Sequence, residues 1–198
     1  MVYAESNAKG GPRSADNQLA HMPGPRTGAA VPTGGRYMVI TKSPLTGMIA
    51  CSNSGGIWGG KLKYAGWDGI IVEGKAETPV RIHIEDDKAE ILPADDLWGS
   101  LAAETDETLK KIYPKASVLS IAPAGETGSL MAAIMNDTDR AAGRSGVGAV
   151  MGSKNLKAIT VVASKGSVEV TDAEALKVAQ KEALRLIKEN GVTGGGLP

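Results

Sequence analysis

The sequence is poor in the residues that most often carry chemistry or hold a small protein together. Among 198 residues there is one cysteine, no phenylalanine, and only 4% aromatic residues. The lone Cys51 excludes an internal disulfide and any Cys-rich metal site built within this chain alone. Long apolar runs are absent as well. The longest, Leu130–Met135, falls far short of the ~20 residues a membrane-spanning helix needs. There is no excess of charge of either sign: Lys plus Arg is 22, Asp plus Glu is 22, and the formal net charge is zero. That balance argues against a protein that grips nucleic acid or an anionic membrane by bulk charge. The first thirty residues show no basic start, apolar middle and small-residue cleavage site, so a cytoplasmic location is expected. No paired carboxylates, nucleophile–His–acid set or metal-ligand spacing stands out. Catalysis by this chain would fall to a cofactor, with the protein supplying binding and orientation.

What the sequence has in surplus is glycine, 26 of 198 residues, against an average near ~7%. The glycines cluster, and one cluster pattern occurs twice. Ser54-Gly55-Gly56-Ile57-Trp58-Gly59-Gly60-Lys61 leads to the apolar stretch Ile70-Ile71-Val72, and Ser145-Gly146-Val147-Gly148-Ala149-Val150-Met151-Gly152-Ser153-Lys154 leads to Ala158-Ile159-Thr160-Val161. The copies lie about 90 residues apart, too far for a solenoid, so two related halves of one domain fit better. Each segment would expose backbone N–H groups as a nest for an anion, typically phosphate. The alternative is that the glycines only permit close packing. Arg36, Arg140 and Arg144 stand near these segments. Their planar forks suit bidentate phosphate binding; taken singly, each reads better as a solvated arginine or a partner of Asp137 or Asp139.

Periodicity predicts an α+β fold with a mostly antiparallel sheet. Strands are expected over Gly35–Thr41, Met48–Cys51, Gly69–Glu73 (buried on both faces), Ser117–Ile121, Val161–Ala163 and Val168–Val170, with a hairpin from Pro79 to Leu92 turning at Asp86-Asp87-Lys88. Helices are expected over Lys61–Ala65, over Leu101–Ile112 with Leu101, Thr105, Leu109 and Ile112 on one face, and after Thr171-Asp172-Ala173-Glu174, a capping-box pattern. In the last helix Leu176, Ala179, Ala183, Leu186 and Ile187 share a face. Residues 1–21 are expected to be irregular. Cys51 reads as a buried structural thiol and His83 as part of a solvated strand face. Trp58 and Trp67 read as core, and Glu104, Asp106 and Glu107 as an ordinary charged helix face.

Several longer motifs resemble a known family. They are Pro32-Thr33-Gly34-Gly35-Arg36-Tyr37, Thr41-Lys42-Ser43-Pro44-Leu45-Thr46-Gly47, Asn53-Ser54-Gly55-Gly56, and Leu62 through Ala76. Leu97-Trp98-Gly99, Pro123-Ala124-Gly125-Glu126, the closing Gly194-Gly195-Gly196-Leu197-Pro198, and most specifically the block from Ala133 through Arg140-Ala141-Ala142-Gly143-Arg144 to Ala158 complete the set. Together they resemble the amino-terminal domain of the tungsten-containing aldehyde ferredoxin oxidoreductases. The resemblance implies two twisted β-sheets related by a pseudo-twofold, carrying a tungsten (or molybdenum) bis-molybdopterin whose phosphates meet at Mg2+. It implies that Arg36, Asn53, Ser54, Gly55, Arg140, Ala141, Gly143 and Arg144 bind the cofactor, with the backbone carbonyls of Asn53 and Ala141 on magnesium. The activity implied is oxidation of an aldehyde to a carboxylic acid, with electrons passed through a 4Fe–4S cluster to ferredoxin. The cluster's cysteines would come from carboxy-terminal domains or from a separate polypeptide. On this reading residues 1–21 precede a pterin-binding domain at 22–170, and 171–198 open a following domain. The strands that normally open the family's domain are missing, Met1–Arg13 matches nothing in it, and Arg26 stands where leucine is usual. The chain is therefore expected to be a piece or split subunit, inactive alone, with association into a homo-oligomer left open. The rival readings are an inactive cofactor-binding module, or a phosphate- or nucleotide-binding protein using the two glycine nests.

Overall fold

The computed structural model describes residues 10–194. The first half of the core is an antiparallel meander of β1 (Leu19–Pro23), β2 (Tyr37–Lys42) and β3 (Ile49–Ser54). It is followed by the helix α1 (Trp58–Tyr64) and by β4 (Ile70–Val72), which returns to pair antiparallel with β1. Next come a hairpin, β5 (Val80–Glu85) with β6 (Lys88–Pro93), and the helix α2 (Ala102–Ile112). The second half repeats the first. A meander of β7 (Ser117–Ser120), β8 (Ile134–Asn136) and β9 (Arg140–Ala142), with the short α3 (Pro123–Glu126) between β7 and β8, leads to α4 (Val147–Ser153). Then β10 (Leu156–Val162) returns antiparallel to β7. The last helix is α5 (Ala173–Glu189).

The strand orders make the repeat explicit. One sheet runs β3-β2-β1-β4, and the other contains β9-β8-β7-β10, extended by β5 and β6. Both read third, second, first, fourth strand of a β-β-β-α-β unit, so the doubled glycine pattern marks two topologically equivalent halves. Among the described strands only the joint between β10 and β5 is parallel. The main core lies between the two sheets and the helices α1 and α4. It is built from Leu19, Val39, Trp58, Leu62, Ile134, Val150 and Ile159 among others. A second, smaller core of Leu97, Leu109, Val118 and Ala158 sits under α2, on the other face of the six-stranded sheet.

That second layer overturns several sequence expectations. His83 is not solvated: the ring of Tyr113, just past α2, stacks on it at 3.9 Å between centroids, and its Nδ1 lies 2.8 Å from Thr160 Oγ1. Asp106 is buried rather than part of an open charged face, and Lys110 Nζ stands 3.0 Å from it. On α2 only the Thr105–Leu109 stripe is covered, while Leu101 and Ile112 overhang and stay exposed. The irregular segment predicted for 1–21 ends too late. Leu19, Ala20 and His21 belong to β1, which has strands on both sides, and all three are fully buried. Cys51 is exposed, because β3 is an edge strand that turns Ile49, Cys51 and Asn53 outward while Ala50, Ser52 and Ser54 face in. β4 is half-buried at a sheet edge rather than covered on both faces. Residues 168–170 form no strand. β10 already has a neighbour on each side, and Val168 instead packs near Gly28 and Tyr64. The two tryptophans are core, as expected: Trp58 is fully buried and Trp67 packs against the same cluster. The amino-terminal stretch 1–9 and the closing motif from 195 onward lie outside the described residues.

Candidate functional site

The pseudo-twofold brings the free edges of the two meanders, β3 and β9, alongside each other. Two cross-links define the seam. The Arg144 N–H donates to Ser52 Oγ at 3.0 Å, and Asn136 Nδ2 donates to the Gly55 carbonyl at 2.5 Å. Asn53 on β3 and Arg140 and Ala141 on β9 lie between these links, and all three are exposed. Arg36 enters from the start of β2 and donates through Nη1 to Asn53 Oδ1. The Arg140 side chain runs over the glycine turn, its Cδ and Nε 3.9 Å from where a Gly55 Cβ would stand. The structure thus gathers Arg36, Asn53, Ser54, Gly55, Arg140, Ala141, Gly143 and Arg144 along one exposed seam. Ser54 itself points inward, opposite the buried Tyr37.

The floor beneath the seam is aromatic. Tyr37 and Trp58 pack with ring centroids 5.0 Å apart, and His21 lies 5.7 Å from Trp58. Burial pushes the Tyr37 hydroxyl pKa up and pulls His21 down to about 4. His21 is therefore neutral at pH 7, and neither of its ring nitrogens has a hydrogen-bond partner among the described residues.

The two glycine segments, equivalent in topology, differ in use. In the first, Gly56 takes φ +87°, and a Cβ there would stand 2.6 Å from Asn136 Nδ2. The turn remains accessible. In the second, Gly146, Gly148 and Gly152 are buried, and a Cβ on Gly148 would meet the Ala133 carbonyl oxygen at 2.5 Å. These glycines serve close backbone packing, with α4 pressed on α3 and on the 130–133 segment. The second anion nest read from the sequence is not exposed.

Sequence reasoning passed over Ser52 and Asn136 as individuals and weighed Asp137 only as an ion-pair partner of an arginine. Asn136 and Asp137 stand inside the Ala133–Ala158 motif, and an Asn-Asp pair at a strand end is a turn signal, but nothing local showed that Asn136 reaches across to the other half.

The aldehyde ferredoxin oxidoreductase N-terminal domain family matches residues 1–163, so Met1–Arg13, expected to match nothing in it, lies within the match. The chain belongs to this family. It is 52% identical, over its whole length, to tungsten-containing aldehyde ferredoxin oxidoreductases of Pyrococcus abyssi and Pyrococcus furiosus, and covers 33% of each. It is 35% identical over 93% of its length to an aliphatic sulfonate oxidoreductase, WOR-like subunit, of Pyrococcus furiosus, covering 32% of that protein. Among solved structures, the active-site complex BamBC of benzoyl coenzyme A reductase with 1,5-dienoyl-CoA superposes with a TM-score of 0.91. That similarity comes at 38% identity over 94% of this chain and 29% of the other. The chain thus spans about a third of the relatives it matches, which are named as oxidoreductases.

The residues present fit a large anionic group. Arg144 has no side-chain partner among the described residues, and Arg36 pairs with a neutral amide rather than a carboxylate. A Cβ at Gly143 would meet nothing within 4 Å, so bare backbone is open to a ligand. Among the described residues no group of His, Cys, Asp or Glu could hold a metal ion. No helix among the described residues is long and apolar enough to cross a membrane.

Proposed function

We propose that this chain is the cofactor-binding base of an aldehyde-oxidising enzyme and that it holds a tungsten or molybdenum bis-pterin along the β3/β9 seam. The observation that carries the reading is the convergence of Arg36, Arg140 and Arg144 on one exposed seam beside an accessible glycine turn, in a chain of neutral net charge. When bound, the cofactor supplies the two-electron oxidation of the aldehyde to the acid. The chain's own work is binding and orientation. Arg140 and Arg144 hold phosphate by charge-assisted hydrogen bonds. Arg36, fixed by Asn53, would orient the cofactor. The backbone carbonyls of Asn53 and Ala141, between the two cross-links, would hold a magnesium ion. A 4Fe–4S cluster needs four thiolates, so the cluster and the path to ferredoxin belong to the remaining two-thirds of such a protein or to a partner polypeptide. The named relatives share this domain while their names cite aldehydes, a sulfonate and benzoyl-CoA. That diversity supports placing substrate choice outside this domain.

Elemental analysis tests the reading. Tungsten or molybdenum near one per chain, released with pterin on denaturation, is the expected result. Bound nucleotide without either metal would overturn it in favour of a nucleotide-binding protein.

A further inference from the structure

The β8–β9 turn, which presents Arg140, is strained and unusually well tied. Asp137 and Thr138 both have positive φ, +52° and +139°, a conformation that L-residues keep only where the surroundings over-determine it. The ties converge on Asp137. Its N–H donates to the Val118 carbonyl at 2.9 Å. Its Oδ1 accepts the Val118 N–H at 3.1 Å, and its Oδ2 accepts the Ser117 hydroxyl at 2.6 Å. Its carboxylate thus caps the start of β7, just past the end of β8. Lys110, from the last turn of α2, completes the brace with Nζ 3.1 Å from Asp137 Oδ1 and 3.0 Å from Asp106 Oδ1. One ammonium thereby separates two largely buried carboxylates. On either side of the braced residues stand the groups that reach the seam: Asn136, bonded to Gly55, and Arg140, lying over the glycine turn.

We propose that Asp137, clamped by Lys110, is a positioning residue that sets where Arg140 meets the cofactor. The proposal rests on the cofactor reading above. Lys110 is too far along α2 to belong to the seam, yet it governs the turn because without it Asp106 and Asp137 would face each other as uncompensated like charges. The turn would then relax, and Arg140 would lose its fixed approach to the phosphates.

The test is Lys110→Met in the cofactor-loaded protein, with Lys110→Arg as the conservative control. Expected are amide exchange over residues 136–142 about tenfold faster with β10 unchanged, and metal lost several-fold faster on dialysis. Lys110→Arg should restore both. If Lys110→Met does not fold, Asp137→Asn, of nearly the same shape, is measured the same way. Unchanged exchange at the turn overturns the brace, and exchange accelerated evenly across the domain overturns it in favour of a merely structural role. Faster exchange at the turn with normal metal retention overturns the positioning role. Arg140→Ala measured alongside separates the failures. If it too retains metal, the cofactor reading falls and this proposal with it; if it alone loses metal, only the positioning role falls.

Discussion

At the residue scale, Arg140 and His21 carry the sharpest expectations. Arg140 projects over the glycine turn from an exposed strand, so its removal should cost binding more than stability. Arg140→Ala is expected to weaken cofactor retention by ~1.5–3 kcal/mol, the range for a hydrogen bond to a charged group, with little change in the unfolding midpoint. Metal content after washing at limiting cofactor checks this. His21 is the opposite case, fully buried beneath the seam with its pKa lowered from 6.5 to about 4 by burial. The unfolded chain takes up a proton near pH 6.5 that the folded chain refuses until about pH 4. Stability is therefore full above pH 6.5 and falls as pH drops toward 4, by roughly 3 kcal/mol in all. Denaturant titrations from pH 7.5 to 4 should show this slope, and His21→Leu should flatten it. An unchanged slope in that variant would mean other groups carry the acid limb. His21 was unreadable in the sequence because its burial depends on β1 lying between β2 and β4, contacts with residues far along the chain.

At the element scale, α3, α4 and the chain around Ser100 form one tightly packed corner. Gly148 has no room for a methyl group against Ala133, so Gly148→Ala should destabilise by ~1–3 kcal/mol through overpacking, read as a lower unfolding midpoint. Lys157, on β10, is fully buried. Its Nζ donates to the carbonyls of Ser100 and Ile121, each at 2.8 Å, and to Glu126 Oε1 at 2.6 Å. Glu126 also accepts the Gly99 N–H at 2.9 Å. This pair ties α3 and the Leu97–Ser100 segment to the sheet. Lys157→Ala should cost ~3–5 kcal/mol, because it strands a buried carboxylate. Lys157→Met with Glu126→Leu should recover much of that loss, since the two replacements remove both charges. Element identities were largely legible: the hairpin at Asp86–Lys88, the 102–112 helix and the start of the last helix followed from local patterns. The cap of that helix falls one residue later than the Thr171–Glu174 box predicts, with the Asp172 side chain accepting the Ala175 N–H at 2.9 Å. Faces were read less well, because the packing of α2 on the back of the six-stranded sheet buries His83 and Asp106 in what alternates as a polar surface.

At the scale of the whole molecule, two β-β-β-α-β halves meet so that their edge strands form the seam, and each half also reaches into the other's glycine segment. Asn136 bonds to Gly55, and Ser43 Oγ donates to the Ser145 carbonyl at 2.8 Å. A paired cofactor suits such an architecture. With one cysteine, the 198-residue chain cannot supply the four thiolates of a 4Fe–4S cluster. Purified by itself it should show neither iron–sulfur absorbance nor aldehyde-dependent dye reduction. Robust turnover without another polypeptide would mean that the chemistry rests on residues not assigned to it here.

The sequence by itself determined the class of the fold, the doubling, the family resemblance and the set of arginines and glycines at the seam. Each of these is written in local pattern or in repeated motif, where backbone propensity and side-chain chemistry act over a few residues. Tertiary structure alone decided that the first glycine segment is open while the second is packed shut, that Cys51 faces out and His83 in, and that Lys110 and Asp137 meet. Those outcomes turn on which surfaces the two sheets and α2 cover, and burial is set by contacts between residues distant in the chain rather than by the period of any one segment.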